Sequence, residues 1–374
     1  MKQLFTNCVL VDKTSTLNEQ KVDILINDDV IEQIATSIKS VDCTTIDMNS
    51  AYVSAGWIDI HTHCFEETTD ISINADKIGV DTGVVCIIDA GSSGEKNIDK
   101  FYQMTKECKT IIKAWINIAS TGLENRSELK DLNNINVEKT ISKANEYKDF
   151  VVGIKVRASA SVMSDDMHTP FVKAKEVSNV INKPIMVHIG NFPPTIDEVL
   201  EELGENDILT HCYHGKPNGV ILDGQIRKTV LQKRIQGLKY DVGHGQESFS
   251  HAIAKKAIQL GFKPDTISSD LHKYNYDGPV YNLANVMSKM LTLVTLEEVI
   301  HYVTSGPAKL VNLEEFGYIG VNRKAHLTFF NVTEQDLELV DSMKEPVSIN
   351  KAIQPIGCVV AGKYLEVSEH GKVI

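Results

Sequence analysis

Residues 57–63 read Trp-Ile-Asp-Ile-His-Thr-His, a β-forming run that closes on two histidines two positions apart, and this stretch decides the fold. In a strand, residues i and i+2 point to the same face, so His61 and His63 can grip one ion together. Asp59 shares that face and is placed to orient a ligand histidine from behind. Seven further apolar runs follow C-terminally: GVVCIIDAG (83–91), TIIKAWINIAS (110–120), DFVVGIKVRAS (149–159), PIMVHIGN (184–191), DILTHCYH (207–214), IQGLKYDVGHG (235–245) and DTISSDLH (265–272). Between them lie stretches such as NIDKFYQMTKEC, NVEKTISKANEYK, PFVKAKEVSNVIN and SFSHAIAKKAIQLG, apolar at i, i+3 and i+4 as an amphipathic helix requires. The steps from His63 to Asp270 average about thirty residues, the length of one βα unit. Eight such units predict an α/β fold of the (β/α)8 TIM-barrel type over residues 55–314, with its active site where the strands end.

The flanks have a different texture. Near the N-terminus, FTNCVLV, KVDILINDDVIEQI and TTIDMNS alternate β-branched residues and break at turn residues; near the C-terminus, AHLTFFNVT, SINKAI, PIGCVVAGKYLEV and GKVI do the same. They predict a small β-sandwich assembled from both ends, residues 1–54 and 315–374.

The chain of 374 residues is long enough for one large barrel with such an appendage, and 42% apolar residues fill its core. A net charge of −12 argues against nucleic acid and anionic membrane surfaces as partners and leaves room for a small-molecule anion in a local basic pocket. The first twenty residues lack the apolar core of a secretory signal, and no stretch approaches the roughly 18 apolar residues that span a bilayer. The seven cysteines are scattered, odd in number and without CxxC, so reduced thiols in the cytoplasm are expected. Self-association is left open.

Metal-competent residues recur where the predicted strands end. His188 closes PIMVH, His211 closes DILTH, and Asp270 ends the eighth run, where its carboxylate can bind a cation and accept a proton from acidified water. Lys155, in VVGIKVRAS, stands on an inward-facing position and needs a partner, because a bare buried ammonium is costly. Two answers are open: an ion pair with Asp270, or reaction with carbon dioxide to give a carbamate that bridges two cations.

This constellation of HxH, strand-four lysine, two single histidines and strand-eight aspartate resembles the amidohydrolase superfamily, and the likeness covers almost the whole chain. SGPAKLVNL and the following EEFGYIGVNRKAHLTFFNV resemble that superfamily's closing region, with His326 where an aspartate is usual. The resemblance implies a binuclear site with divalent cations, expected to be zinc. It places His61, His63 and Asp270 on the more buried ion, His188 and His211 on the other, and carboxylated Lys155 between them. DAGSSG, KVRAS, YDVGHGQESFS and SSDLH look like the dihydroorotase-like group whose members carry the names dihydroorotase, adenine deaminase or deacetylase. That likeness implies hydrolysis of an ester or amide in an N- or O-acetylated, carboxylate-bearing substrate, by hydroxide generated between the cations, with Asp270 as base and then acid. Alternatives within the scaffold are a dihydroorotase-type cyclic amidohydrolase and an adenine deaminase. A non-catalytic barrel relative is the alternative outside enzymology, and the retained ligand positions speak against it. No GxGxxG opens a helix after a strand and no GxxxxGK[ST] occurs, which excludes a nucleotide-binding doubly wound sheet.

Candidate substrate contacts follow from the same faces. Arg157 lies two residues past Lys155 and can clamp a carboxylate; His272 lies two past Asp270. His244, in the Gly243–Gly245 turn, is expected above the site, and Tyr213 and His214 are expected along the pocket. Cys64 is read as a small packing residue. His168, His251, His301, His326 and His370 are read as surface or helix residues.

Overall fold

A computed structural model describes residues 2–39 and 42–372. Seven parallel strands run in chain order across one curled sheet: Trp57–Thr62, Val84–Ala90, Ile111–Asn117, Val151–Ala158, Ile185–Ile189, Ile208–Thr210 and Lys239–Tyr240. Each pairs with its predecessor, as short crossovers dictate. Their continuous apolar runs reflect burial on both faces; every residue of Val84–Ala90 is buried.

The eighth predicted run, 265–272, forms no ladder of its own. It touches both edges of the sheet through single parallel bridges, Asp241 to Thr266 and Thr62 to Leu271. The Asp270 amide donates to the His61 carbonyl at 2.7 Å, and the His63 amide to the Leu271 carbonyl at 2.9 Å. The cause is local: Asp270 has φ +50°, a left-handed conformation that interrupts extended pairing.

The crossover helices carry their own start signals. Thr195 and Thr295 each form a capping box with the glutamate three residues on, opening Ile196–Glu202 and Leu296–Val303. Asn182, in the left-handed region, ends Thr169–Ile181.

Both chain ends meet, as expected, in one small β unit, an eight-stranded, mainly antiparallel sheet separate from the parallel one. Lys2–Leu10 pairs with Lys21–Asn27 on one side and with Thr44–Asp47 and Tyr52–Ala55 on the other. Tyr52–Ala55 in turn pairs with Leu327–Val340, so the hydrogen bonding runs unbroken. Of the terminal GKVI, residues up to 372 form a short 3-10 turn, and Val373 and Ile374 lie outside the described residues. Trp57 and Tyr52 pack on Phe330 at ring separations of 5.4 and 5.5 Å, locking this sheet to the parallel one. Leu327–Val340 and Pro346–Val360 make a long hairpin whose tip, 341–345, reaches the loop after the seventh parallel strand. Among the described residues no helix is long and apolar enough to cross a membrane.

Candidate metal centre

The six residues singled out at strand ends converge. His61 Nε2 lies 3.4 Å and His63 Nε2 3.3 Å from Asp270 Oδ1, and His211 Nε2 lies 3.9 Å from Asp270 Oδ2. Lys155 Nζ is 3.1 Å from His61 Nε2, and His188 Nδ1 is 2.7 Å from His211 Nε2. His61, His211 and Asp270 each present one ligand atom, all within 4.8 Å of one another. Asp270 and His211 are both held in the left-handed region, at φ +50° and +66°.

The donor set suits a divalent cation because three of its four rings, those of His61, His63 and His211, are turned by their far nitrogens. His211 Nδ1 donates to the Gly243 carbonyl at 2.6 Å, which leaves the Nε2 lone pair facing inward. His61 Nδ1 lies 3.0 Å from Thr210 Oγ1, whose own proton goes to Asp241 Oδ2 at 2.7 Å, so the hydroxyl accepts from the ring. His63 Nδ1 meets Ser92 Oγ at 3.0 Å. Burial, together with nearby cationic groups, holds the rings neutral: His63 is pushed down to about 3, His211 to about 4, and His61 and His188 well below the usual range. Burial also pushes Lys155 down to about 7, with Asp270 opposing. Neutral imidazoles, a carboxylate and an amine close to the balance between its charged and neutral forms make a donor set that suits a cation.

Apart from Asp59, the supporting residues escaped sequence reasoning, though the quoted runs and motifs contain them. In DAGSSG, Asp89 accepts from the Ser92 amide at 2.7 Å and the Cys64 amide at 2.8 Å, and Ser92 holds His63. Gly91, at φ +83°, is required because a Cβ there would lie 2.7 Å from the Lys155 Cβ. In YDVGHGQESFS, Asp241 accepts from Thr210, Thr266 and Ser268 at 2.6–2.7 Å. Asp59, expected to orient a ring, instead accepts from the backbone amides of His61 at 3.3 Å and Ser269 at 3.0 Å. It ties the first strand to 265–272, and burial pushes its carboxyl up to about 7.

Above the centre opens a cavity of about 300 Å³, with His63, His188, Asp270, Arg157 and His272 in its wall. Arg126, Lys216, Ser159, Asn191 and Tyr274 complete much of the rest. Arg157 Nη1 donates to both oxygens of the buried Glu128, at 3.2 and 3.1 Å. His272 lies 6.4 Å, ring to ring, from His63, and burial pushes it down to about 4.

Three expected pocket residues, Tyr213, His244 and His214, sit elsewhere. Tyr213 is fully buried, its hydroxyl donating to the Phe262 carbonyl at 2.8 Å, because the chain turns inward directly after His211. His244 is also fully buried, stacked on Phe249 at 4.6 Å and 3.0 Å from Lys289 Nζ, because its turn is covered by the hairpin tip. His214 is buried outside the cavity wall, and His326 is buried against Phe316 rather than exposed. Cys64 packs in the apolar core.

No family profile matches the chain. A deacetylase of Enterococcus faecalis is 36% identical over 361 residues, covering 95% of this chain and 98% of its own. A deacetylase of Agrobacterium fabrum is 34% identical over 375 residues, covering 98% and 92%. A solved structure described as an adenine deaminase superposes with TM-score 0.93 at 35% identity, covering 97% of this chain and 99% of its own. Another, described as a dihydroorotase, gives 0.92 at 33% identity, covering 98% of each. The chain belongs to the amidohydrolase superfamily and is a metal-dependent hydrolase. Within it, the full-length relatives reported above carry the name deacetylase.

Proposed function

We propose that the chain hydrolyses the ester or amide bond of a small N- or O-acetylated substrate that carries a carboxylate. In this reading two divalent cations, zinc by the character of the donors, are held by His61, His63, Lys155, His188, His211 and Asp270. The observation that carries it is the convergence of four neutral imidazoles, an amine and a carboxylate, with His63, His188 and Asp270 of that group lining one cavity. Bound cations there supply acidified water and a polarised carbonyl oxygen. His61 and His63 with Asp270 would hold the deeper ion, and His188 with His211 the other. Residues 265–272 serve as the eighth strand that closes a barrel, which is why Asp270 reaches across to His61.

Lys155 would bridge as a carbamate: its neutral nitrogen bonds the carbon of carbon dioxide and one proton is released. Its depressed pKa supports this, since the reactive neutral amine is populated near neutral pH. Asp270 takes the proton of the attacking water and returns it to the leaving oxygen or nitrogen, acting as base and then acid. Arg157 and Arg126 in the cavity wall bind an anionic tail, and His272 flanks the reacting carbonyl. A reducing cytoplasm suits the chain, whose seven cysteines stand as free thiols.

A second reading, a cyclic amidohydrolase or purine deaminase, is favoured by the two solved structures bearing those descriptions. Turnover of N-acetyl amino acids, O-acetyl hydroxy acids, dihydroorotate and adenine by metal-loaded enzyme separates them. Activity confined to dihydroorotate or adenine overturns the deacetylase reading.

A further inference from the structure

Outside the centre, one buried polar cluster has no part in the chemistry above. Lys289 sits fully buried on the mainly apolar helix Leu283–Leu291, where it is the one charged residue. Its Nζ donates to the Pro279 carbonyl at 2.8 Å and meets His244 Nε2 at 3.0 Å. Burial pushes the amine down to about 7, opposed by Asp341. A buried lysine on such a helix is expensive, and a methionine would pack there more cheaply. His244 in turn lies with Nδ1 3.0 Å from the Gly245 carbonyl and 3.3 Å from Ser342 Oγ. Ser342 belongs to the hairpin tip of the antiparallel sheet, and its hydroxyl lies 2.7 Å from the Gly245 carbonyl and 3.0 Å from that of His244.

What this cluster grips is the turn Gly243–Gly245, both glycines of which touch the metal centre. The Gly243 carbonyl accepts from His211 Nδ1. A Cβ on Gly245, at φ +57°, would lie 2.6 Å from Asp270 Oδ2. His244 is the one side chain in the turn, and it points away from the cavity into the Lys289–Ser342 cluster. The tip is itself fixed, since Asp341 Oδ2 accepts from the His251 amide at 2.9 Å, at the N-terminus of His251–Gln259, and the Ser342 amide donates to Phe249.

We propose that Lys289, His244 and Ser342 are positioning residues that hold the Gly243–Gly245 turn against His211 and Asp270. The C-terminal hairpin is thereby a working part of the metal centre rather than an appendage. The inference rests on the metal-centre reading. Removing a group that orients a metal ligand typically weakens metal binding or activity by about 10- to 100-fold.

The test uses the full chain and cobalt(II) or zinc alone as probe, with affinity measured by chelator competition and folding by circular dichroism and thermal unfolding. Ser342→Ala and Lys289→Met should each remain folded yet bind the cation about 10-fold more weakly, with kcat reduced and KM nearly unchanged. Ser342→Thr, which keeps the hydroxyl, should restore affinity. A purely structural role would lower the unfolding temperature of Ser342→Ala and leave cation affinity and kcat per folded molecule at wild-type values. That outcome overturns the proposal. If Lys289→Met does not fold, Ser342→Ala with its threonine rescue decides. Failure of wild-type protein to bind either cation sinks the metal-centre reading itself, a result distinct from equal binding by wild type and variants.

Discussion

Replacing Thr210 with valine isolates the least visible part of the centre. The hydroxyl gives its only proton to Asp241 at 2.7 Å and accepts from His61 Nδ1 at 3.0 Å, all three groups being buried. Valine keeps the shape and puts a methyl where the oxygen was. His61 then loses the acceptor that fixes its tautomer, and Asp241 keeps Thr266 and Ser268 as hydroxyl donors, at 2.7 and 2.6 Å. One buried ring N–H left unsatisfied costs about 1–3 kcal/mol. If that penalty falls on the ligand geometry, it corresponds to roughly 10- to 100-fold in metal affinity, the range typical of groups behind a ligand histidine. The assay is chelator competition on folded protein, followed by kcat at saturating cation, with Thr210→Ser as the variant that keeps the hydroxyl and behaves as wild type. Cation affinity and kcat within about twofold of wild type in Thr210→Val would refute the reasoning, since the orienting chain would then contribute nothing measurable.

Other expectations follow from the same contacts. Asp270→Asn should retain most of its bound metal and lose about 10²- to 10⁴-fold in turnover; near-normal turnover at full occupancy removes the proton-shuttle role. Gly245→Ala adds a Cβ 2.6 Å from Asp270 Oδ2 at a backbone position of φ +57° and should abolish turnover, whereas an active variant would show that the turn is free to move. Because Lys289 is held down to about 7 from 10.5, the unfolded chain binds a proton that the folded chain lacks between those values. Lys289 therefore contributes stability that is full above 10.5 and lost as pH falls towards 7. Urea unfolding across that window should show wild-type stability rising with pH more steeply than that of Lys289→Met, by a slope approaching about 1.4 kcal/mol per pH unit; parallel profiles would assign the proton elsewhere.

The parallel core and the six converging side chains were legible because period-2 alternation fixes which face a residue takes within a strand. Lys155 and Arg157 share a face by that rule, Lys155 reaching His61 and Arg157 the cavity wall. The rule ends where the strand ends. Tyr213 and His244 lie past strand termini, where the path of the loop sets direction, and both turned into the core. The eighth run was visible as an apolar segment, but the left-handed φ of Asp270, which breaks its ladder, leaves no mark in composition. Arg126, Lys216 and Glu128 gave no signal, because charged loop residues are ordinary until a cavity forms between them.

The sequence by itself determined the order of the parallel strands, the helices that cross between them and the identity of the metal-competent residues, since local periodicity and residue chemistry are properties of neighbouring positions. Only the tertiary structure decided how those residues are held. The chains that turn the rings, Asp241–Thr210–His61 and Asp89–Ser92–His63, and the hairpin tip resting on His244 join segments tens of residues apart. Directional hydrogen bonds across such gaps form only when packing has already brought the groups within about 3 Å.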